Sequence, residues 1–187
     1  MSAGLAPSAY CAMTLALHPP RAGERVLDVG CGSFATTLDL ARLVGKHGLV
    51  VGLDACTSSS PEAAREARAI APANASVACG DLRTYGFERA FDRVFARLMT
   101  RCFADPRPAL ATLRRALRPG GWLVLLEHVH DREGACGPGP FASADAEVLR
   151  TLVEGVGYRD VAIEATIVAR GGLEAPHWCL TARSPLQ

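Results

Sequence analysis

Carboxylates accompany three short apolar segments of the sequence, and a glycine-rich turn follows the first of them. Asp28 stands in the apolar run Val26 to Val29, ahead of Gly30-Cys31-Gly32, and Asp54 and Asp81 follow two later apolar runs. Glycines permit a tight turn and a close approach of the backbone to a bound molecule, and free N–H groups at a helix start can meet a polar ligand group. The sequence therefore predicts a ligand-binding turn directly after the first apolar run.

The apolar runs and the segments between them predict alternating strands and helices. Strands are predicted at 26–29, 49–53, 76–79, 91–97 and 122–127, with a sixth ending near 163 and a seventh at 177–183, and helices at 8–17, 36–44, 61–70, 106–117 and 144–156. A strand-helix-strand order is typical of parallel α/β sheets, whose ligands bind outside the carboxyl ends of the strands. Arg97 and His128, together with the three carboxylates, fall at such ends.

Two families use a glycine turn of this kind. Gly30-Cys31-Gly32-Ser33-Phe34-Ala35 fits the dinucleotide fingerprint with alanine in the last place, and Asp54, about 20 residues on, can accept hydrogen bonds from both ribose hydroxyls of an adenosine. With Asp28 included, Asp28-x-Gly30-x-Gly32 resembles the first motif of the class I S-adenosylmethionine (AdoMet) methyltransferases. In that family a carboxylate here takes the cofactor's ammonium group, so Asp28 favours the methyltransferase.

A second segment strengthens this resemblance. Leu117 to Glu127, with Pro119-Gly120-Gly121 between a helix and a long apolar strand, is similar to the methyltransferase junction into the fifth strand, and the resemblance extends from about Gly23 to Arg183. It implies a doubly wound, seven-stranded, mostly parallel sheet with an antiparallel last strand and helices on both faces. It also implies direct in-line transfer of a methyl group from AdoMet to a small-molecule acceptor, leaving S-adenosylhomocysteine.

The resemblance also implies roles for individual residues. The cofactor-binding residues are expected to be Asp28, Gly30, Cys31, Gly32, Asp54, Ala55, Asp81, Leu82 and Arg97. Asp81 would accept a hydrogen bond from the adenine amino group, and the end of the fourth strand, 96–98, would form the wall beside the methyl group. His128 is the candidate general base, because imidazole exchanges a proton near neutral pH. The alternative for His128 is a strand-end histidine with no catalytic role.

One residue departs from the family pattern. Phe34 stands where the family has its third glycine. We expect its ring to point into the core, because phenylalanine is commonly buried. A ring in the pocket would instead suit a protein that keeps the fold but performs a cyclisation or only binds. An NAD(P)-dependent oxidoreductase is the remaining alternative, although Lys46 is the only lysine and no Tyr-x-x-x-Lys pair exists.

Composition and charge limit the partners and the compartment. Lys and Arg number 20 against 19 Asp and Glu, a formal net charge of +1, which gives no electrostatic footprint for nucleic acid or an anionic membrane. No apolar run approaches the roughly 20 residues of a membrane helix. Residues 1–20 have no basic region before an apolar stretch, as a secretory signal would, so a cytoplasmic protein is expected. The seven scattered cysteines predict buried thiols rather than disulfides or a metal site.

The length predicts one compact unit. Residues 1–22 are expected to form a short N-terminal cap helix, and residues 23–187 a single AdoMet-binding domain. Few residues remain for a substrate lid, so either the site is open or a second subunit completes it, and a homodimer is one option.

Overall fold

The computed structural model describes residues 15–32, 34–55, 65, 69, 71–128, 146–170 and 173–187. The strands and helices are β1 Arg25–Val29, α1 Ala35–Val44, β2 Leu49–Asp54, β3 Ala75–Cys79, β4 Phe91–Arg97, α2 Arg107–Ala116, β5 Leu117–His128, α3 Ala146–Gly155, β6 Arg159–Arg170 and β7 Leu173–Arg183. Short 3-10 helices occupy Leu82–Thr84 and Thr100–Cys102. The predicted helices at 8–17 and 61–70 lie largely outside the described residues, of which 15–17, 65 and 69 are helical.

The seven strands form one sheet with the order β3-β2-β1-β4-β5-β7-β6. Neighbours from β3 to β5 are parallel, whereas β7 runs antiparallel to both β5 and β6. The predicted doubly wound sheet with an antiparallel last strand is therefore confirmed. Because the first five strands are parallel, the carboxyl ends that carry Asp28, Asp54, Arg97 and His128 meet at one edge.

The last two strands are longer than predicted. β6 continues to Arg170 and β7 begins at Leu173, whereas the sequence pattern ended the sixth strand near 163 and began the seventh at 177. Within the described residues, β7 pairs with β5 only from His177 onwards, and its first residues pair with β6 alone. A β-hairpin thus extends past the end of β5, on the side of the sheet where the strands' carboxyl ends lie.

Each face of the sheet has its own core. On one face, Leu27, Val94 and Leu123 pack with α2 and α3, and the fully buried Tyr158 donates a hydrogen bond to Leu110 O at 3.3 Å. The other face, which we call the α1 face, packs α1 against Val26 and its neighbours. Burial of both faces explains why the central strands read as continuous apolar runs rather than as alternating ones.

A buried ion pair fixes the amino ends of the central strands. Arg93 in β4 has a side chain that is 9% exposed and donates to Glu24 through Nε at 2.9 Å and Nη2 at 3.1 Å. Glu24 directly precedes β1, so the pair ties the start of that strand to its neighbour. Among the described residues, no helix is long and apolar enough to cross a membrane.

The described cysteines differ in state. Cys31 and Cys179 are buried free thiols and Cys102 is an exposed one. Burial raises the pKa of Cys31, and it raises the pKa of Cys179 to about 11. Cys79, at the end of β3, is disulfide-bonded. The prediction that the cysteines are buried thiols is therefore wrong for Cys79, which is not a free thiol. It is also wrong for Cys102, which is a free thiol but exposed.

Candidate functional site

The glycine turn after β1 is anchored to the end of β2. Gly30 and Gly32 have φ angles of 70° and 51°, the left-handed region that glycine enters without a steric cost. Gly30 N donates to Leu53 O at 2.8 Å, and Gly32 N donates to Asp54 Oδ2 at 2.9 Å. The turn therefore has the tight form that the sequence predicts, and it is held from the neighbouring strand.

Asp54, the expected ribose-binding residue, also holds the glycine turn in place. Its carboxylate is mostly buried at the end of β2 and accepts the hydrogen bond from Gly32. Ala55, the next residue, is exposed. A carboxylate that accepts from a backbone N–H is held in one orientation, so Asp54 and the glycine turn form one rigid unit at this edge of the sheet.

Asp28 is enclosed by protein groups. Its side chain is fully buried, Thr37 Oγ1 donates to Oδ2 at 2.7 Å, and Arg97 Nη2 lies 3.0 Å from Oδ1. Burial raises the pKa of Asp28, while the guanidinium of Arg97 and the hydrogen bond from Thr37 oppose that rise. Arg97 and Thr37 thus hold the Asp28 carboxylate, and the expectation that it takes a ligand ammonium group stays a prediction.

Gly52 makes room for this arrangement. A Cβ at Gly52 would lie 2.6 Å from Thr37 Oγ1 and 3.1 Å from Cys31 Sγ. Thr37 and Gly52 were absent from the predicted site, although a glycine inside an apolar strand is a known sign of close backbone approach. That signal could have shown that α1 lies directly on β2 here.

Asp81 follows β3 and starts the 3-10 helix Leu82–Thr84. Its Oδ1 accepts from Arg83 N at 2.8 Å, and Arg83 Nε lies 3.0 Å from both carboxylate oxygens. Hydrogen bonds from the Arg83 side chain and backbone lower the pKa of Asp81 to about 2. Leu82 is buried in the core. Asp81 is thus a charged group at the sheet edge, and Arg83 is the partner that sequence reasoning missed.

Phe34 combines a glycine-like backbone with a buried ring. It precedes α1 with φ 64° and ψ 0°, is 1% exposed, and packs with Cys31 and Val77. The backbone therefore keeps the left-handed conformation typical of glycine, while the side chain enters the core. The expectation that the ring points inward is confirmed.

The carboxyl ends of β4 and β5 are joined by Glu127. Its buried Oε1 accepts from Met99 N and Thr100 N, both at 2.9 Å, which fixes the segment after Arg97. His128 ends β5 opposite the fully buried His177 of β7, and the side chain of His128 lies outside the described part of the structure. Glu127 and His177 were not predicted as site residues. They reach the site because β5 pairs with β4 and β7, and no local sequence pattern marks those contacts.

A family model described as a methyltransferase domain matches residues 26–121. The match covers just over half of the 187 residues and includes the glycine turn, Asp54, Asp81 and the Pro-Gly-Gly junction. The chain belongs to this methyltransferase domain family. The resemblance to the class I methyltransferases, drawn above from residues alone, is thereby confirmed.

Relatives of this methyltransferase-family chain agree with the assignment. It is 38% identical over 114 residues to an aklanonic acid methyltransferase of Streptomyces sp. strain C5, covering 60% of this chain and 52% of that one. It is 37% identical over 128 residues to a nocamycin O-methyltransferase of Saccharothrix syringae, covering 66% and 46%. The chain thus spans about half the length of these relatives.

A solved structure shares the fold. The crystal structure of the [4+2]-cyclase SpnF superposes with a TM-score of 0.73 at 20% identity, covering 95% of this chain and 80% of the other. At that identity the likeness supports the fold alone.

Proposed function

We propose that this methyltransferase-family chain binds AdoMet and transfers its methyl group to a small-molecule acceptor, releasing S-adenosylhomocysteine. The observation that carries the proposal is the anchored glycine turn, in which Gly32 N donates to Asp54 Oδ2 at 2.9 Å. The cofactor's methionyl and ribose groups would lie against one preformed unit, with no Cβ at Gly30 or Gly32 in the way. The matched family and the printed names of the relatives support the same activity.

The described residues fit this cofactor group by group. Asp54 and Ala55 would contact the ribose, with the Asp54 carboxylate accepting from its hydroxyls. Asp81 would accept from the adenine amino group, with the backbone of Leu82 beside the ring, and Gly30, Cys31 and Gly32 would offer their backbone to the methionyl tail. Asp28 would act through Arg97, because its own carboxylate is buried against that guanidinium.

Bound AdoMet supplies a methyl group that is already activated on a sulfonium sulfur. The chain's own task is therefore to orient the two reactants and exclude water. Orientation of this kind contributes about 7–11 kcal/mol in favourable cases. The end of β4, residues 96–98, would form the wall beside the methyl group, and Glu127 holds the residues that follow it. We propose His128 as the base for acceptors whose proton must be removed, since it ends β5 beside that wall.

The acceptor is proposed to be a small molecule because the curated relatives are named for aklanonic acid and nocamycin methylation. A cyclase-like role is less well supported. That role was considered because the ring of Phe34 could stand in the cofactor pocket. The ring is instead buried in the core. The glycine turn also fits a dinucleotide, but the matched family supports AdoMet rather than NAD(P).

Isothermal titration calorimetry tests the cofactor. We expect AdoMet and S-adenosylhomocysteine to bind, and NAD and NADP not to bind comparably. Asp54→Ala should weaken AdoMet binding by about 1.5–3 kcal/mol, the range for hydrogen bonds to a charged group. Asp105→Ala is the matched control, because Asp105 is an exposed carboxylate whose ion pair is with Arg107. Tight NADH binding without AdoMet binding would contradict the proposal.

Three further expectations stay predictions. We propose a single AdoMet-binding domain at residues 23–187 preceded by a cap helix within residues 1–22, and a homodimer as the state to test by sedimentation. The expected cytoplasmic compartment also stays a prediction.

A further inference from the structure

A cavity of about 310 Å³ lies at the edge of the sheet opposite the glycine turn. Its walls include Arg89 before β4, Leu117 at the start of β5 and Ser184 after β7. These segments meet because β7 is antiparallel to β5, so its carboxyl end lies beside the amino ends of the parallel strands. Pockets for small molecules measure about 300–1,000 Å³. The cavity is therefore large enough for a small molecule and is separate from the proposed cofactor site.

Main-chain hydrogen bonds hold the walls of this cavity together. Arg89 N donates to Arg115 O at 2.8 Å, which ties the segment before β4 to the end of α2. Ser184 N donates to Gly121 O at 2.9 Å, and Gly120 N donates to Ser184 O at 3.1 Å, which ties the segment after β7 to β5. The cavity is thus preformed, and a ligand would not have to order its walls on binding.

The charged side chains that line the cavity are three arginines and one glutamate, Arg89, Arg114, Arg115 and Glu88. Three positive charges against one negative charge leave two positive charges uncompensated. In the part of the chain that the structure describes, none of the four side chains forms an ion pair. Charge of one sign in a concave site concentrates the electrostatic field and attracts the opposite charge, so the cavity favours an anion.

Packing holds Arg114 in the cavity wall. Its Cζ and Nη1 lie 3.6 and 3.7 Å from the position of a Cβ on Gly157. The side chain is half-buried, and Nε is buried with no hydrogen-bond partner among the described residues. A guanidinium partly withdrawn from water attracts an anion more strongly, because the effective dielectric constant is lower there.

The helix dipole does not account for the whole cluster. Arg114 and Arg115 lie in the last turn of α2, where positive side chains offset the negative end of the helix dipole. Arg89, however, belongs to no helix and comes from the segment before β4. Its presence beside the other two arginines therefore needs a different explanation, and a bound anion would supply one.

Charge and shape select the class of ligand. Guanidinium groups bind phosphate and carboxylate groups through paired hydrogen bonds. A phosphate monoester carries about −1.5 to −2 charges at pH 7, which matches the two uncompensated positive charges, whereas a carboxylate carries a single charge. Pro119 and Pro185 give the cavity a smaller apolar side for an organic group. We infer that the cavity binds a phosphorylated small molecule, with its phosphate held by Arg89, Arg114 and Arg115. This inference is independent of the proposed AdoMet binding.

Two double variants of equal charge separate this site from the general charge of the protein. Arg89 and Arg115 are exposed, so Arg89→Gln/Arg115→Gln removes two of the three arginines and leaves Arg114 in its packing. Arg42→Gln/Arg107→Gln is the matched control. Both of its arginines are exposed, each pairs with a carboxylate away from the cavity, and their loss changes the net charge by the same amount.

Phenyl phosphate, a phosphate monoester with an apolar ring, is the probe. Its binding to the whole chain is followed by the ³¹P NMR line width. We expect saturable binding by the unmodified protein and at least tenfold weaker binding by the Arg89→Gln/Arg115→Gln variant. The Arg42→Gln/Arg107→Gln variant should keep the affinity to within about twofold, since exposed, distant charges contribute little at physiological salt. Saturating S-adenosylhomocysteine should not displace the probe, because the cofactor site lies at the opposite edge of the sheet.

Each other outcome overturns the inference in a different way. Lack of saturable binding by the unmodified protein would refute it without requiring any variant to fold. Equal affinity in the two double variants would reduce the arginines to solvated surface charges. Displacement of phenyl phosphate by S-adenosylhomocysteine would place the phosphate at the glycine turn instead. A phosphoserine peptide that binds at least tenfold more tightly than phenyl phosphate would assign the cavity to a protein partner. None of these results would alter the proposed AdoMet binding.

Discussion

Replacing Phe34 by glycine should destabilise the protein less than truncation of an ordinary core phenylalanine. The ring is 1% exposed, and deleting a buried phenylalanine side chain costs about 3–5 kcal/mol. The backbone φ of 64° offsets part of this, because a left-handed conformation costs an L-residue about 1–2 kcal/mol. Glycine removes that cost, and Phe34 precedes the helix rather than lying inside it. We expect a net loss of about 1–4 kcal/mol.

Phe34→Ala isolates the backbone contribution. Alanine loses the ring but keeps a Cβ in the left-handed conformation, so Phe34→Gly should be more stable than Phe34→Ala by about 1 kcal/mol. The control is Leu38, buried inside α1, where glycine should be less stable than alanine by about the same amount. Urea unfolding followed by circular dichroism measures all four variants.

The opposite order at Phe34, with alanine more stable than glycine, would refute the backbone argument. The affinity for S-adenosylhomocysteine per folded molecule should hardly change in Phe34→Gly, because the ring lies in the core. A variant that binds at least tenfold more tightly at unchanged stability would show instead that the ring obstructs the pocket.

Two further predictions concern the α1 face and the cysteines. Gly52→Ala should lower the free energy of unfolding by about 1–3 kcal/mol, measured in urea, because the new methyl group crowds Thr37. The loss should be smaller in a Thr37→Ala background. An unchanged loss would show that Thr37 is not the obstacle. Alkylation of the native protein, followed by mass spectrometry, should label the exposed Cys102 quickly. Cys31 and Cys179 should react slowly even at about pH 9, because burial raises the pKa of both thiols. Rapid labelling of Cys31 would contradict its burial.

The central sheet could be predicted from the sequence because both of its faces are buried. Strands β1 and β2 and the later part of β5 read as short apolar runs, and the glycine turn marks the end of β1. The extension of β6 to Arg170 could not be predicted in the same way. Its residues 164 and 165 are exposed, so no core pattern marks them, and pairing with β7 rather than burial keeps them extended.

The site was predictable in position but not in its internal contacts. The strand-end rule located Asp28 and Asp54 because it depends only on strand order. The contacts of Asp28 with Thr37 and Arg97 depend on the register of three elements, which no single segment encodes. Arg83 lies only two residues from Asp81, yet that spacing does not show whether the carboxylate pairs with the arginine or faces solvent alone.

The insertion of β7 between β5 and β6 has a consequence for biosynthesis. The side chains of Leu123 to Leu126 are fully buried on both faces of β5, and the edge of that strand is closed by the later residues 177–183. During translation the cofactor half of the sheet can therefore assemble while β5 still presents an open, apolar edge, the kind that pairs with other chains. β6 leaves the ribosome before β7, but it does not pair with β5 in the native sheet, because β7 lies between them. Nascent chains should accordingly expose this edge until residues 177–183 have left the ribosome.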